Sequence, residues 1–168
     1  MGAGGLGLMA VSMLRALGHE NIAVCDIDAR KWDAARAVGA KEVFDPSKPE
    51  TQDQLMALPG GVWGVADFVG AAPTATLGMA VLRKGGRYVV VGLYGGEVPL
   101  SLVPMAQRAL TIQGSYVGSL QELQEVVDLA KSGKLQSIPT ALCTLEEVSG
   151  VLDQLKQGGV IGRVVAKI

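Results

Sequence analysis

The sequence predicts an α/β chain built on a doubly wound parallel sheet, and three observations predict it. Short apolar runs alternate with helix-like patterns along almost the whole chain, the arrangement that joins parallel strands by right-handed crossovers. The runs IAVCDI and YVVVGL are apolar on both faces, which suits strands covered by helices on each side. A glycine-rich segment, Met1-Gly2-Ala3-Gly4-Gly5-Leu6-Gly7, leads directly into the first helical pattern.

Taken in order, the first helix is expected from about Gly5 to Leu17, followed by a strand at Ile22–Ile27 and a helix at Ala29–Val38. A short strand at Glu42–Phe44 and a helix near Glu50–Leu58 come next. Strands at Val65–Val69 and Arg87–Leu93 bracket a helix around Thr74–Arg83, and a further strand lies near Leu110–Ser115. Leu120–Lys131 is helical, with apolar residues at Leu120, Leu123, Val127 and Ala130 falling on one stripe. A last helix at about Leu145–Lys156 precedes a strand at Ile161–Ile168. Between them, Gln136–Thr144 carries Pro139 and breaks the helical pattern. Residues 1–135 are therefore expected to form one domain, and residues 136–168 a separate return segment.

Composition narrows the function. The 168 residues suit one domain with a real core. Hydrophobic residues make up 49% of the chain, too many for a disordered segment. Aromatics supply only 4%, so aliphatic and small side chains must fill the core. Net charge is −1 and no Lys/Arg stripe exists, which argues against a nucleic-acid partner. No stretch is long and apolar enough to span a bilayer, and no signal-peptide pattern opens the chain. Cys25 and Cys143 are the only cysteines and form no CxxC pair. A reducing cytoplasm is the expected location.

The opening glycines carry the chemistry. Gly2, Gly4 and Gly7 fit G-x-G-x-x-G, the fingerprint of a Rossmann-type dinucleotide site. The first glycine makes the tight turn, the second lets the main chain approach a pyrophosphate, and the third packs helix on strand. The following helix aims its N–H groups and positive dipole end at the phosphates. Asp26, 24 residues beyond Gly2 at the end of the next strand, is placed to accept hydrogen bonds from the adenosine ribose hydroxyls. The bland alternative for Asp26 is a turn residue closing that strand. Asp28 precedes a helical run and is expected as its N-cap. Asp26 also favours NAD over NADP, because a 2′-phosphate would meet its carboxylate at a cost on the order of 4 kcal/mol per charge pair at an effective dielectric near 20. Arg30 and Lys31 lie close enough in sequence to soften that repulsion.

The stretches GAGGLGLMAV (2–11), VCDIDARK (24–31), RKGGRYVVVGLYGG (83–96), LTIQGSYVGS (110–119) and GRVV (162–165) resemble the cofactor domain of the zinc-containing alcohol dehydrogenases of the medium-chain dehydrogenase/reductase superfamily. They stand in that family's order across nearly the whole chain. The resemblance implies that Gly4, Gly5 and Leu6 lie under the pyrophosphate and beside the nicotinamide ribose. It gives Asp26 the adenosine ribose, Ile27 the adenine face with Lys31 nearby, and Val69 a contact with the adenosine portion. Val91, Gly92 and Leu93 would line the nicotinamide, and main-chain groups of Ser115 and Val117 would bond its carboxamide. Arg163 would reach the pyrophosphate. For the apolar members, plain core packing is the competing explanation.

The resemblance also implies what this chain lacks. The family's zinc ligands belong to a catalytic domain that precedes this region, so zinc is expected only there, and the chain alone is expected to be inactive. His19, the only histidine, falls at a helix end; Cys25 lies in a strand and Cys143 stands alone. The family's first strand runs into the glycine loop, whereas this chain starts at the loop, so the fold is expected to be truncated there. The implied parent transfers hydride between a small alcohol or carbonyl substrate and NAD, as a dimer or tetramer paired along an edge strand near Leu110–Val117. A non-catalytic nucleotide-binding module and a zinc-free quinone or enoyl reductase are the alternatives.

Overall fold

Alternation of apolar runs with helical patterns yields seven short strands and seven helices in a computed structural model that describes residues 1–168. The strands are β1 (Ala23–Cys25), β2 (Glu42–Phe44), β3 (Val62–Asp67), β4 (Leu82–Val90), β5 (Thr111–Gly114), β6 (Thr140–Cys143) and β7 (Arg163–Ala166). The helices are α1 (Gly5–Ala16), α2 (Trp32–Ala37), α3 (Thr51–Met56), α4 (Ala72–Val81), α5 (Leu102–Gln107), α6 (Leu120–Lys131) and α7 (Val148–Lys156). A 3₁₀ turn at Ala29–Lys31 leads into α2. β1 pairs with β2, the order β3-β4-β5 forms a second sheet, and β6 pairs with β7. The β3–β4, β4–β5 and β6–β7 ladders are all parallel. The chain is thus the expected α/β type with parallel strands.

Two units emerge. The first comprises Met1–Gly2, Cys25–Ile27 and Phe44–Ser119. Its core gathers Cys25, Leu55, Val65, Val81, Leu82 and Tyr88, with Met1, Phe44 and Val90 among the partly buried residues packed around them. Gly78 lets α4 lie flat on the sheet, since a Cβ there would stand 2.7 Å from the Tyr88 ring. Met1–Gly2 take a strand-like place in this unit. The Met1 nitrogen donates to the Ala66 carbonyl (2.8 Å), Phe68 N–H donates to the Met1 carbonyl (3.0 Å), and Gly2 N–H donates to the Cys25 carbonyl (2.8 Å). Two residues at the position of the expected central strand therefore hydrogen-bond on both sides.

The second unit comprises Ala3–Val24, Asp28–Val43 and Leu120–Ile168. Ala3, Leu8, Val11, Ile22, Val24, Ala35, Val38 and Ala40 form its core, with Ile138 packed against them. The buried Ser12 hydroxyl donates to the Gln136 carbonyl (2.8 Å), fixing the start of the C-terminal segment on α1.

Several element boundaries differ from the sequence expectation. α5 falls in a stretch with no predicted element, and β6 falls inside the segment read as a pattern break. β4 begins at Leu82 rather than Arg87, because its pairing with β3 jumps from Val62↔Leu82 to Gly64↔Arg87 across an irregularity.

Candidate functional site

In the second unit, the glycine-rich turn ends at Gly4, which caps α1 in an extended conformation with no side-chain hydrogen bond. No acidic residue sits in the first turn of this twelve-residue helix. Its leading N–H groups thus have no side-chain acceptor, the condition that makes a helix start attract anions. Around Gly4 there is open space for an added Cβ, with nothing within 4 Å. At Gly5 a Cβ would instead strike the Arg163 guanidinium (2.5 Å from Nε) and the Gly162 carbonyl oxygen (2.7 Å). The bare glycine backbone is what seats this exposed cation against the start of α1. Gly7 is buried and Leu6 half exposed. Thus Gly4, Gly5 and Arg163, 158 residues beyond Gly5, meet at one helix terminus.

Asp28 behaves as the expected cap: its carboxylate accepts from Arg30 N–H (3.1 Å) and binds the Arg30 guanidinium through both oxygens (2.8 Å each). The Arg30 hydrogen bond chiefly holds this carboxyl down, to about 2. Lys31 approaches the same carboxylate at 3.8 Å. Both cations that sequence proximity offered to a 2′-phosphate are therefore already paired with Asp28.

In the first unit, the remaining candidates sit just beyond strand ends. Asp26 follows β1, is buried, and its N–H donates to the Phe44 carbonyl (3.1 Å). Ile27, next to it, is exposed. Gly2 adopts φ +88°, and a Cβ there would press on Val69 Cγ2 at 3.0 Å. Val69 follows β3, Val91–Leu93 follow β4, and Ser115 and Val117 follow β5. Leu93 is 80% exposed and Val117 83% exposed, so core packing does not explain either. Ser115 N–H already donates to the Val90 carbonyl (2.9 Å), so of its main-chain groups the carbonyl is the one it can offer a ligand. Val117 holds φ +51°, a left-handed conformation that costs a β-branched residue about 1–3 kcal/mol and concentrates at functional sites.

Sequence reasoning missed Asp67, the last residue of β3. It has no exposed surface, and its carboxylate accepts from Tyr88, Thr74, Val69 and Gly70. Burial pushes this carboxyl up, but those four donors outweigh it and hold it below its ordinary value. Burial first, and then the Asp67 carboxylate, push the Tyr88 phenol well up. The available signal was an acid inside an apolar strand, followed by Gly70 and Thr74.

Glycine loop, open helix start, acid-ended strand and candidate residues beyond strand ends define a Rossmann-type α/β chain of the dinucleotide-binding class. The chain belongs to the zinc-binding dehydrogenase family, whose model matches residues 5–132. It is 35% identical to an alcohol dehydrogenase of Moraxella sp. (strain TAE123) over 164 residues, covering 98% of this chain and 48% of that protein. A NAD-dependent alcohol dehydrogenase of Sulfolobus acidocaldarius is 35% identical over 170 residues, with 98% and 48% covered. The crystal structure of an alcohol dehydrogenase from Aeropyrum pernix superposes with a TM-score of 0.89 at 34% identity, covering 99% of this chain and 48% of that one. The chain spans about half the length of the curated relatives it matches.

The family name implies zinc, and the residues here do not fit it. No three His, Cys, Asp or Glu side chains come together as a metal site. His19 is exposed beyond the end of α1, Cys25 is buried in β1, and Cys143 lies in β6. No helix is long and apolar enough to cross a membrane.

Proposed function

We propose that this chain is the NAD-holding portion of a zinc-dependent alcohol dehydrogenase, in which hydride passes between a small alcohol or carbonyl substrate and the cofactor. The observation that carries this is the start of α1, uncapped and faced by the Arg163 guanidinium over Gly5. A pyrophosphate needs such an arrangement: N–H donors, a positive dipole end and a cation at one glycine-lined terminus. Nicotinamide, when bound, supplies the hydride acceptor or donor. The chain's residues bind and orient. Gly2, Gly4, Gly5, Leu6 and Gly7 let the main chain approach the phosphates, and Arg163 offsets their charge. Asp26 accepts from the adenosine ribose, with Ile27 on the adenine and Lys31 and Val69 beside that half. Val91, Gly92, Leu93 and the main chain of Ser115 and Val117 receive the nicotinamide.

Residues 1–135 serve as the nucleotide-binding part, and residues 136–168, which carry Arg163, as a return segment toward a catalytic domain outside this chain. Zinc and the alcohol-activating groups belong outside this chain, which by itself is inactive. The intact protein works in the cytoplasm and pairs copies along β5. That strand ends the order β3-β4-β5, and Thr111–Val117 are all exposed.

The test is titration calorimetry of the intact native protein with NAD and NADP. NAD binds more tightly, and Asp26→Gly narrows the gap. Equal affinity for the two cofactors in the unmodified protein refutes the role given to Asp26.

A further inference from the structure

We propose that Asp67 is a positioning residue for the nicotinamide half of the site, acting through the two loops that follow β3 and β4. The inference rests on the dinucleotide reading above.

Asp67 works as a hub with two side-chain arms and a main-chain carbonyl. Its Oδ1 accepts from the main-chain N–H groups of Val69 (2.9 Å) and Gly70 (3.0 Å). Its Oδ2 accepts from the hydroxyls of Thr74 (2.7 Å) and Tyr88 (2.5 Å). Its carbonyl accepts from Val91 N–H (2.8 Å) and Gly92 N–H (2.9 Å). The first arm shapes the loop after β3. The second ties that loop to α4 through Thr74, and to β4 through Tyr88, three residues before Val91.

The loops are also zipped to each other. Tyr94 N–H donates to the Val69 carbonyl (3.1 Å) and Gly95 N–H to the Gly70 carbonyl (2.9 Å). Little apolar burial helps to hold the second loop: Leu93 and Tyr94 are 80% and 85% exposed. Its position therefore depends on polar bonds, and the hub is where they converge. A fully buried carboxylate is expensive unless hydrogen-bonded. Here every donor comes from the two loops or from the elements they join.

Substitution by asparagine separates the arms. The amide keeps an oxygen for Val69 and Gly70, the adenosine-side contact, but replaces the acceptor of both hydroxyls with an N–H₂ donor. The main-chain bonds from Val91 and Gly92 to the Asp67 carbonyl remain, and the loss falls on the ties to α4 and to β4 at Tyr88, three residues before Val91.

The experiment compares dissociation constants for NAD and for ADP-ribose, which lacks nicotinamide, in the intact native protein and three variants. For Asp67→Asn, NAD binding weakens by about tenfold, the scale of one hydrogen bond's net contribution, while ADP-ribose binding changes by less than about twofold. Tyr88→Phe and Thr74→Val, each removing one donor to Oδ2, shift the ratio in the same direction by less. They carry the test if Asp67→Asn does not fold. Equal weakening of both ligands across the variants marks a structural role only and overturns the proposal. So does an unchanged ratio. An unmodified protein that binds neither ligand overturns the dinucleotide reading itself, an outcome distinct from both.

Discussion

Gly70→Ala should be among the most damaging single-methyl additions in this chain. Gly70 has φ +68°, and a Cβ built there would stand 1.9 Å from the Gly92 carbonyl oxygen and 2.3 Å from its carbon. Backbone cannot rotate away as a side-chain tip can, so the two loops must separate. Separation breaks the bonds from Tyr94 N–H to the Val69 carbonyl and from Gly95 N–H to the Gly70 carbonyl, each worth about 1 kcal/mol net. The left-handed conformation adds about 1–2 kcal/mol for a residue with a Cβ. A loss of about 3–4 kcal/mol follows, a large share of the roughly 5–15 kcal/mol that holds a typical domain. Gly85→Ala is the control. It lies in the same unit at φ +79°, with nothing within 4 Å of the added carbon, so it carries the conformational penalty alone. Urea unfolding followed by circular dichroism gives both values, provided the denaturant slopes agree. If Gly70→Ala costs no more than Gly85→Ala, the close approach of the two loops is not what demands glycine.

Two further outcomes concern titrating groups. Cys25 is buried and its thiol is pushed up to about 11 by that burial, so at pH 8 native protein should alkylate at Cys143 far faster than at Cys25, read by mass spectrometry of the labelled peptides; equal rates would contradict the packing of β1. The Asp67 carboxyl lies below its ordinary 3.8 in the fold, so its ionised form contributes stability that is present above that value and lost as pH falls through the folded one. Thermal melts from pH 6 downward should show the native protein losing stability below about pH 4 more steeply than Asp67→Asn, and parallel curves would refute the assignment.

The parts legible in the sequence are those whose signals are local. The glycine spacing, Asp26 closing a strand, Asp28 as a cap and the helix at Leu120–Lys131 each depend on residues within a few positions of one another. What was hidden depends on distant pairing. β4 starts at Leu82 only because Val62 pairs with it across an irregular register, and in isolation Leu82 continues a helical run. β6 was masked by Pro139 just before it. Proline breaks a helix, but it is tolerated at a strand's edge, and Thr140–Cys143 find their partner in Arg163–Ala166. α5 is a six-residue helix with Pro104 inside it and mostly exposed apolar side chains, so neither length nor periodicity announces it. Arg163 could be assigned only by resemblance, since nothing near it in sequence says that it reaches Gly5.

The placement of strain and exposure bears on function more than any single residue does. In an open parallel sheet, ligands bind beyond the carboxyl ends of the strands. In the first unit, several departures from ordinary packing lie in that region. Val69 and Gly70 are pinned by a buried carboxylate after β3, Leu93 and Tyr94 stand out in solvent after β4, and Val117 holds a left-handed backbone after β5. Between these ends Val65, Leu82 and Tyr88 are buried and the ladders are parallel. A rim braced by polar bonds can hold its form before a ligand arrives to stabilise it.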